Sequence, residues 1–600
     1  MRFLSTLAAS VLGTLIALIL LFLFFLFVFF ALSLSTSQVP TVQSGSVLVL
    51  PIDGPIPERA ASDPFAQAFA DAPAYDLHDV QTALRNAATD DRISGVWLKL
   101  KGTSAGWSTL SEVREALVGF REASGKPVYA SAADFGMSER TYFVASAADS
   151  VFAAPMSPFE WNGFSITTPF FAETLDRLSI EPKIVRVGAF KGAVEPFLRR
   201  DLSSENRMQL EALLETQNDH IKTAIAATRP TDVETLESIA DESALLDAHS
   251  ALEAGMIDDL RYENEVLDLF RDRLAVLPAQ SVPQIEVDAY ARVPAADANV
   301  TFTGSGNVAV VYAEGNIVSG KTETIGGSAS SIGSETFIEA MESARTSSTT
   351  QAVVLRINSP GGSAAASEVM WHAVKRTAAE KPVIVSMGNQ AASGGYYIAA
   401  AADSIVATPT TVTGSIGIFG LLFNAEGFFN EELGITFDQV STSPLADLYS
   451  VVEPFSDREK RLLQQSLDRS YDTFLKRVAE GRGMTSDAVR DVAQGRVWSG
   501  QDAQEVGLVD QLGGLETALA LAGKAGGLGD GPYRTRILPR PKTFLEVLNR
   551  ELSGQAARAW MRWTTSEWEH KVWSQLDPLR RMVEQHGTAQ ARLPYAITIE

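Results

Sequence analysis

The chain repeats itself, and that repeat limits what it can fold into more than any other feature. Gly95-Val-Trp-Leu-Lys-Leu100 parallels Gln351-Ala-Val-Val-Leu-Arg-Ile357, and Ser111-Glu-Val113 parallels Ser367-Glu-Val369. Gly125-Lys-Pro-Val128 answers Glu380-Lys-Pro-Val383, Ala147-Ala-Asp-Ser-Val151 answers Ala401-Ala-Asp-Ser-Ile405, and Val194-Glu-Pro-Phe197 answers Val452-Glu-Pro-Phe455. These matches keep one order and nearly one spacing over about a hundred residues, as a tandem duplication does. Each copy must therefore form a unit of its own. Within a copy, short β-branched runs (Val308–Tyr312, Ala352–Ile357, Val383–Ser386, Ser404–Ala407) alternate with amphipathic stretches (Thr336–Arg345, Ala364–Ala379, Gly395–Ala402). Strand–helix alternation of this kind predicts an α/β fold with a mostly parallel sheet, helices packed outside it. A longer helical stretch follows each copy, at Ser204–Ala227 and Asp457–Glu480. The expected organisation is an N-terminal membrane anchor (1–38), a first repeat (39–276), a Pro- and Ala-rich connection (277–303), a second repeat (304–540) and a C-terminal tail (541–600).

Residues 7–34 carry no charge and include Leu-Ile-Leu-Leu-Phe-Leu-Phe-Phe. As a helix at ~1.5 Å per residue this run reaches ~42 Å, more than the ~30 Å of a bilayer's hydrocarbon core and longer than the ~7–15 residues of a cleaved signal's apolar region. It predicts an uncleaved signal anchor. Arg2 on its N-terminal side places the N-terminus in the cytoplasm and the rest of the chain outside.

With 50 Lys+Arg against 73 Asp+Glu, the net charge is −23, which argues against nucleic-acid binding. The absence of cysteine removes disulfides, thiolate nucleophiles and cysteine metal sites. The six histidines are scattered with no metal-ligand spacing, so neither a metal nor a cofactor is expected and any catalysis must use other groups.

The second copy offers such groups. Asn358-Ser-Pro-Gly-Gly-Ser363 follows a strand, and Met387-Gly-Asn-Gln-Ala-Ala-Ser-Gly-Gly-Tyr-Tyr-Ile398 places Ser393 at a turn that opens a helix. Gly394 and the Gly361-Gly362 turn could present backbone N–H groups to a developing oxyanion. Taken alone, both segments also read as ordinary glycine-rich βα turns. Comparison of the copies sharpens the choice. Glu139 (or Ser138, with the gap moved by one) stands where the second copy has Ser393, and Lys101-Gly-Thr-Ser-Ala105 replaces the Asn358 turn. Conversely, Lys191 in Phe190-Lys-Gly-Ala-Val-Glu-Pro-Phe197 faces Tyr449. One copy keeps a serine and the other a lysine, the trace that a Ser/Lys dyad shared between repeats would leave. A lysine serves as base only when neutral, and the apolar Ala189, Phe190, Ala193 and Val194 around Lys191 suit the burial that would make it so. A surface lysine in a glycine-containing loop is the plain alternative. Ser415, in Thr411-Val-Thr-Gly-Ser-Ile-Gly417, is a candidate to hold the lysine or simply a turn serine.

The motifs NSPGGS, MGNQAASGGYY, TGSIGIFG and VGAFKGAVEPF together resemble the signal peptide peptidase A (protease IV) family in its long, double-domain form, over about residues 46–525. The resemblance implies two tandem Clp/crotonase-like repeats behind one transmembrane helix, and a serine endopeptidase of the bacterial inner membrane with its catalytic domain in the periplasm. It further implies degradation of cleaved signal peptides and a bowl-shaped homotetramer. Carried over to this chain, Ser393 is the nucleophile, Lys191 the general base and Ser415 the residue that positions it, with Gly361, Gly362 and Gly394 as the oxyanion hole. Two other readings stay open from the residues: a crotonase-type acyl-CoA enzyme, which shares glycine-rich oxyanion turns, and a non-catalytic membrane scaffold that binds peptides. The tail holds Trp560, Trp563, Trp568 and Trp573 among Arg558, Arg562, Lys571, Arg580 and Arg581. It suits either a membrane-surface helix or packing against another subunit. Small residues Gly361, Ser363 and Ala364 near the site would favour substrates with modest side chains.

Overall fold

Val47-Leu-Val-Leu50 and Val308-Ala-Val-Val311 are apolar at successive positions, so as strands they are hydrophobic on both faces and need cover on both. The structure, a computed structural model, supplies that cover in each repeat. It describes residues 40–60, 75–133, 136–275, 277, 280–322, 324, 325, 328, 329, 331–540 and 590–592, together with residues 12–17, 19–21, 23 and 24.

The first repeat runs β1 (Ser46–Gly54), α1 (Leu77–Thr89), β2 (Ile93–Thr103), α2 (Trp107–Ser124), β3 (Val128–Ala132), α3 (Glu139–Ala145) and β4 (Ser150–Ala153). It continues with β5 (Glu181–Val187), α4 (Ser204–Ala226), β6 (Asp259–Leu260) and β7 (Gln284–Glu286). The second repeat runs β8 (Asn307–Glu314), α5 (Ser334–Thr346), β9 (Thr350–Ser359), β10 (Gly361–Ser363), α6 (Ala364–Ala378), β11 (Val383–Ala392) and α7 (Gly394–Ala399). It ends with β12 (Ser404–Ala407), β13 (Val412–Gly414), β14 (Ile418–Asn424), α8 (Asp457–Arg482), β15 (Val497–Ser499) and β16 (Arg534–Leu538).

The first sheet has the order β6-β4-β3-β2-β1-β7 and is parallel throughout. The second has β15-β13-β11-β9-β8-β16 with β12 beside β11, and only β13–β15 is antiparallel. This is the α/β architecture with mostly parallel sheets that the alternation implied. Two local differences stand out. β11 does not stop at Ser386 but runs on to Ala392, directly before Ser393. Within the segment expected to be a plain connection, β7 adds to the edge of β1, because Val282, Ile285, Val287 and Tyr290 bury against the first core.

The repeated sequence anchors have a common physical cause. Lys126 caps α1 by donating to the carbonyls of Ala87 and Asp90, and Lys381 caps α5 through Ala344 and Ser347. Asp149 accepts from the Val128 N–H at 2.8 Å, and Asp403 from Val383 at the same distance. Asp258 and Asp510 accept from the N–H of Val151 and Ile405 and pair with Arg229 and Arg482. Each anchor therefore satisfies a buried strand end or a helix C-terminus.

Two of the features that join the repeats bear most on the site. Arg356 on β9 is fully buried and forms a bidentate pair with Glu58, both contacts at 2.8 Å, and a 2.6 Å contact with Glu112 on α2. Glu112 also accepts from Gln81 and from the N–H of Leu515. The other is β5, which leaves the first repeat and pairs antiparallel with β14 of the second, from Val187 opposite Ile418 to Glu181 opposite Asn424.

Among the described residues no helix is long and apolar enough to cross a membrane. The expected anchor lies mostly outside the described residues. Its described parts are helical and leave Leu12, Leu15, Ile16, Ile19, Leu20, Leu21, Leu23 and Phe24 exposed. The tryptophans of the tail also lie outside the described residues.

Candidate active site

Ser393 sits between β11 and α7 with φ 54° and ψ −111°, a conformation rare for any residue with a side chain. Such strain persists only where the surroundings impose it, and functional turns are where it collects. Here the Ser393 N–H donates to the carbonyl of Gly414 at 2.8 Å, which ties the turn to β13. Gly395 fits beneath it because a side chain there would meet the Ser359 carbonyl at 2.9 Å.

The lysine arrives from the other repeat. Because Val187 lies opposite Ile418, the chain that follows β5 passes the Gly414–Gly417 turn, and Lys191 enters there. Its Nζ is 2.8 Å from Ser393 Oγ, 3.0 Å from the Ser415 carbonyl oxygen and 3.0 Å from Ser415 Oγ. Ser393, Lys191 and Ser415 are all fully buried. Among the described residues no carboxylate compensates the lysine, and burial holds its ammonium well below the ordinary 10.5. Ser415 Oγ in turn lies 3.4 Å from the carbonyl of Gly495. The structure thus brings together the three side chains that the sequence singled out.

The glycines are arranged less simply. Gly394 opens α7, so its N–H is among the donors a helix leaves unpaired in its first turn. Gly361 and Gly362 have φ of 101° and 159°, and a side chain at Gly362 would meet the Ile317 carbonyl at 2.1 Å. The Gly361 N–H donates to Ser359 Oγ at 3.1 Å, so that amide is already engaged. Residues Gln590–Arg592 lie antiparallel on β10, Gly361 opposite Arg592, and Gln590 also stands opposite Phe419 of β14. An extended segment therefore occupies the slot between β10 and β14, beside α7.

In the first repeat the corresponding place is filled. Tyr142 and Tyr396 donate to the equivalent carbonyls of Met256 and Leu508, which sets Glu139 opposite Ser393. Glu139 accepts from the N–H of Gly163, and Trp107 packs against Phe143 and Phe164. Tyr449, the counterpart of Lys191, is half exposed.

One positioning residue escaped the sequence reading. Gly495 (φ 80°) lies against the lysine backbone: a Cβ there would sit 2.7 Å from Lys191 Cβ and 2.8 Å from its Cα. The Phe190 N–H donates to the Gln494 carbonyl, and Gln209 of α4 bridges the Phe190 carbonyl to the Val497 N–H. The signal was available, since the first copy has Ser243 where the second has Gly495. Among the described residues no cluster of His, Asp and Glu could hold a metal ion.

A model of Peptidase family S49 matches residues 121–277 and 375–528, one span in each repeat. A chloroplastic serine protease SPPA of Arabidopsis thaliana is 33% identical over 84% of this chain and 73% of its own. Protease 4 of Salmonella typhi is 34% identical over 74% of this chain and 71% of its own. A putative signal peptide peptidase SppA of Enterococcus faecium is 32% identical over 31% of this chain and 54% of its own. Among solved structures, a ClpP1 mutant from Listeria monocytogenes overlaps 35% of this chain and 94% of its own at 15% identity, with a TM-score of 0.23, too low to argue from.

Proposed function

The chain belongs to peptidase family S49 and is a serine peptidase; from that premise we propose that it is a membrane-anchored endopeptidase with Ser393 as nucleophile and Lys191 as general base. The observation that carries this reading is the 2.8 Å contact between Lys191 Nζ and Ser393 Oγ in a fully buried site that, among the described residues, holds no counter-ion. The carbonyl and hydroxyl oxygens of Ser415 accept from Nζ and hold it against the Ser393 hydroxyl, and burial favours the neutral amine, whose lone pair can take the Ser393 proton.

In the reaction Ser393 Oγ attacks the scissile carbonyl carbon while its proton passes to Lys191 Nζ. The Gly394 N–H and the Gly361-Gly362 turn hold the oxyanion, Gly361 contributing once Ser359 Oγ releases its amide. Collapse of the intermediate breaks the C–N bond, and the lysine ammonium gives its proton to the leaving amine. Water then attacks the acyl ester, Lys191 takes a proton from it, and Ser393 is restored.

Peptides bind in this reading as an added strand between β10 and β14, the slot in which Gln590–Arg592 lies. The small residues Gly361, Ser363 and Ala364 along it favour modest side chains. The uncharged run at 7–34 and the exposure of its described helical residues support anchoring in a bacterial inner membrane with the site on the periplasmic side. Cleaved signal peptides, extended and hydrophobic, are the proposed substrates, supported by the Enterococcus relative. The family resemblance supports a homotetramer.

The test is hydrolysis of a fluorogenic signal-peptide mimic by the detergent-solubilised chain. Lys191→Ala is expected to lose about 10³-fold or more in kcat/KM, as loss of a nucleophile's base does. A variant that keeps most of the activity would show that the base is another group.

A further inference from the structure

The two repeats do not close completely against each other. Between them lies a cavity of about 640 Å³, a size that suits a small molecule or the end of a peptide. The first repeat contributes walls from α1 and α2. The second contributes the helix Leu515–Ala525 and the segment Gly531–Thr535, and Asn299–Thr301 of the connection also lines the space. Most of the lining is apolar, with Ala116, Phe120, Leu519 and Pro532 in it. None of the lining residues belongs to the dyad or to the slot between β10 and β14.

Its charged groups do not balance. Glu112, Glu115 and Glu516 line it together with one cation, Arg85. Glu112 is met by Arg356 at 2.6 Å and Glu516 by Arg85 at 2.7 Å. Among the described residues Glu115 makes no hydrogen bond or ion pair, and its neighbour Arg114 donates instead to the Ala224 carbonyl and the Thr228 hydroxyl. The surrounding protein and the Glu112 charge push the Glu115 carboxyl up to about 7, so a cation beside it would offset both. Two side chains on α1 carry unused atoms as well. Gln81, 3% exposed, donates through Nε2 to Glu112 at 3.1 Å, whereas its Oε1 has no partner. Arg85 holds Glu516 and Thr82 through its Nη groups, whereas its Nε is buried without an acceptor. Positions four apart share a helix face, so a spare acceptor and a spare donor stand on one wall, and buried polar atoms are ordinarily paired.

We propose that this cavity binds the free N-terminal end of a short hydrophobic peptide, its ammonium held by Glu115 and Gln81 Oε1. A carbonyl oxygen of the same peptide accepts from Arg85 Nε, and the side chains rest on the apolar lining. The wall calls for an ammonium, a neutral acceptor and an apolar body, and a peptide's N-terminal end carries all three within two residues. A peptide C-terminus does not fit, because its carboxylate would join three glutamates. The binding is non-covalent and takes no part in the reaction at Ser393. The inference rests on the cavity and not on the peptidase reading, so the two can fail separately.

The probe is phenylalanyl-leucine amide, titrated calorimetrically into the full Ser393→Ala chain in detergent, with the heat of titration into micelles alone subtracted. The serine substitution keeps the probe from being hydrolysed. Gly119 lines the cavity, and a Cβ there would meet nothing within 4 Å, so Gly119→Phe, added to that chain, grows into the open space. The expected result is saturable binding that Gly119→Phe abolishes. N-acetylation of the probe removes its charge, and Glu115→Gln removes the opposite one, so each is expected to weaken binding about tenfold or more. A parent that shows no saturable binding overturns the proposal, as does an acetylated probe bound equally well. Undiminished binding to the Gly119→Phe chain overturns it too, and would place the peptide elsewhere, as in the slot beside Ser393. Glu115→Gln keeps the side chain's size, so it decides the matter if Gly119→Phe does not fold.

Discussion

Lys191 Nζ is fully buried among three hydroxyl and carbonyl oxygens, which ties its protonation to the stability of the fold. In the unfolded chain this amine titrates near its ordinary 10.5, whereas in the fold burial lowers it well below that value. Between the two values folding releases a proton, so stability rises with pH through that window and the contribution is complete above 10.5. Below the folded value the charge is buried at a constant cost. Lys191→Met removes this dependence. Its melting temperature relative to the parent is expected to be most favourable near pH 7 and to decline as the pH is raised toward 10. A difference that stays flat over that range would mean that Lys191 is charged in the fold. Ser393 and Lys191 were legible in the sequence because the copies differ at those positions while the anchors around them match. Gly495 was not read, because what requires a glycine there is the backbone of Lys191, more than three hundred positions away.

At the scale of elements, the lysine loop depends on two supports: the β5–β14 ladder brings it across, and the 494–496 turn holds it from beneath. Gly495→Ala puts a Cβ within 2.7 Å of Lys191 Cβ, backed by rigid main chain. The lysine must then shift, and a displacement near 1 Å costs about 10²-fold in kcat. The expected result is that loss in peptide hydrolysis with an unchanged circular dichroism spectrum; full activity would show that the turn can yield. The helices follow from local signals the sequence carries plainly. Asp76 and Asp79 form a capping box at the start of α1, and Ser456 and Glu459 do the same for α8. β5 and β14 were harder to foresee as partners, since Pro182, Lys183, Gly420 and Asn424 break the apolar pattern that marked the central strands.

Across the whole molecule, the Arg356–Glu58–Glu112 cluster sets how the repeats meet. Arg356→Met leaves two buried carboxylates without a counter-charge and is expected to cost about 3–5 kcal/mol in urea unfolding. Adding Glu58→Gln and Glu112→Gln to that variant should restore part of the loss, and a single substitution of no consequence would show that water reaches the cluster. Because the contact between Lys191 and Ser393 lies within one chain, a mixture of Lys191→Ala and Ser393→Ala proteins is expected to remain inactive. Recovered activity would mean that the dyad forms between chains.

The sequence by itself determined the two repeats, the α/β alternation within each and the identities of the serine and lysine, because duplication, periodicity and glycine-rich turns are local or self-similar signals. Only the tertiary structure decided how those groups meet. A strand pairing between residues far apart in the chain sets the 2.8 Å contact, and so does the buried backbone turn under the lysine. The engagement of the Gly361 amide by Ser359 was likewise invisible in the sequence. Each of these depends on which surfaces pack together, and no spacing along the chain encodes that directly.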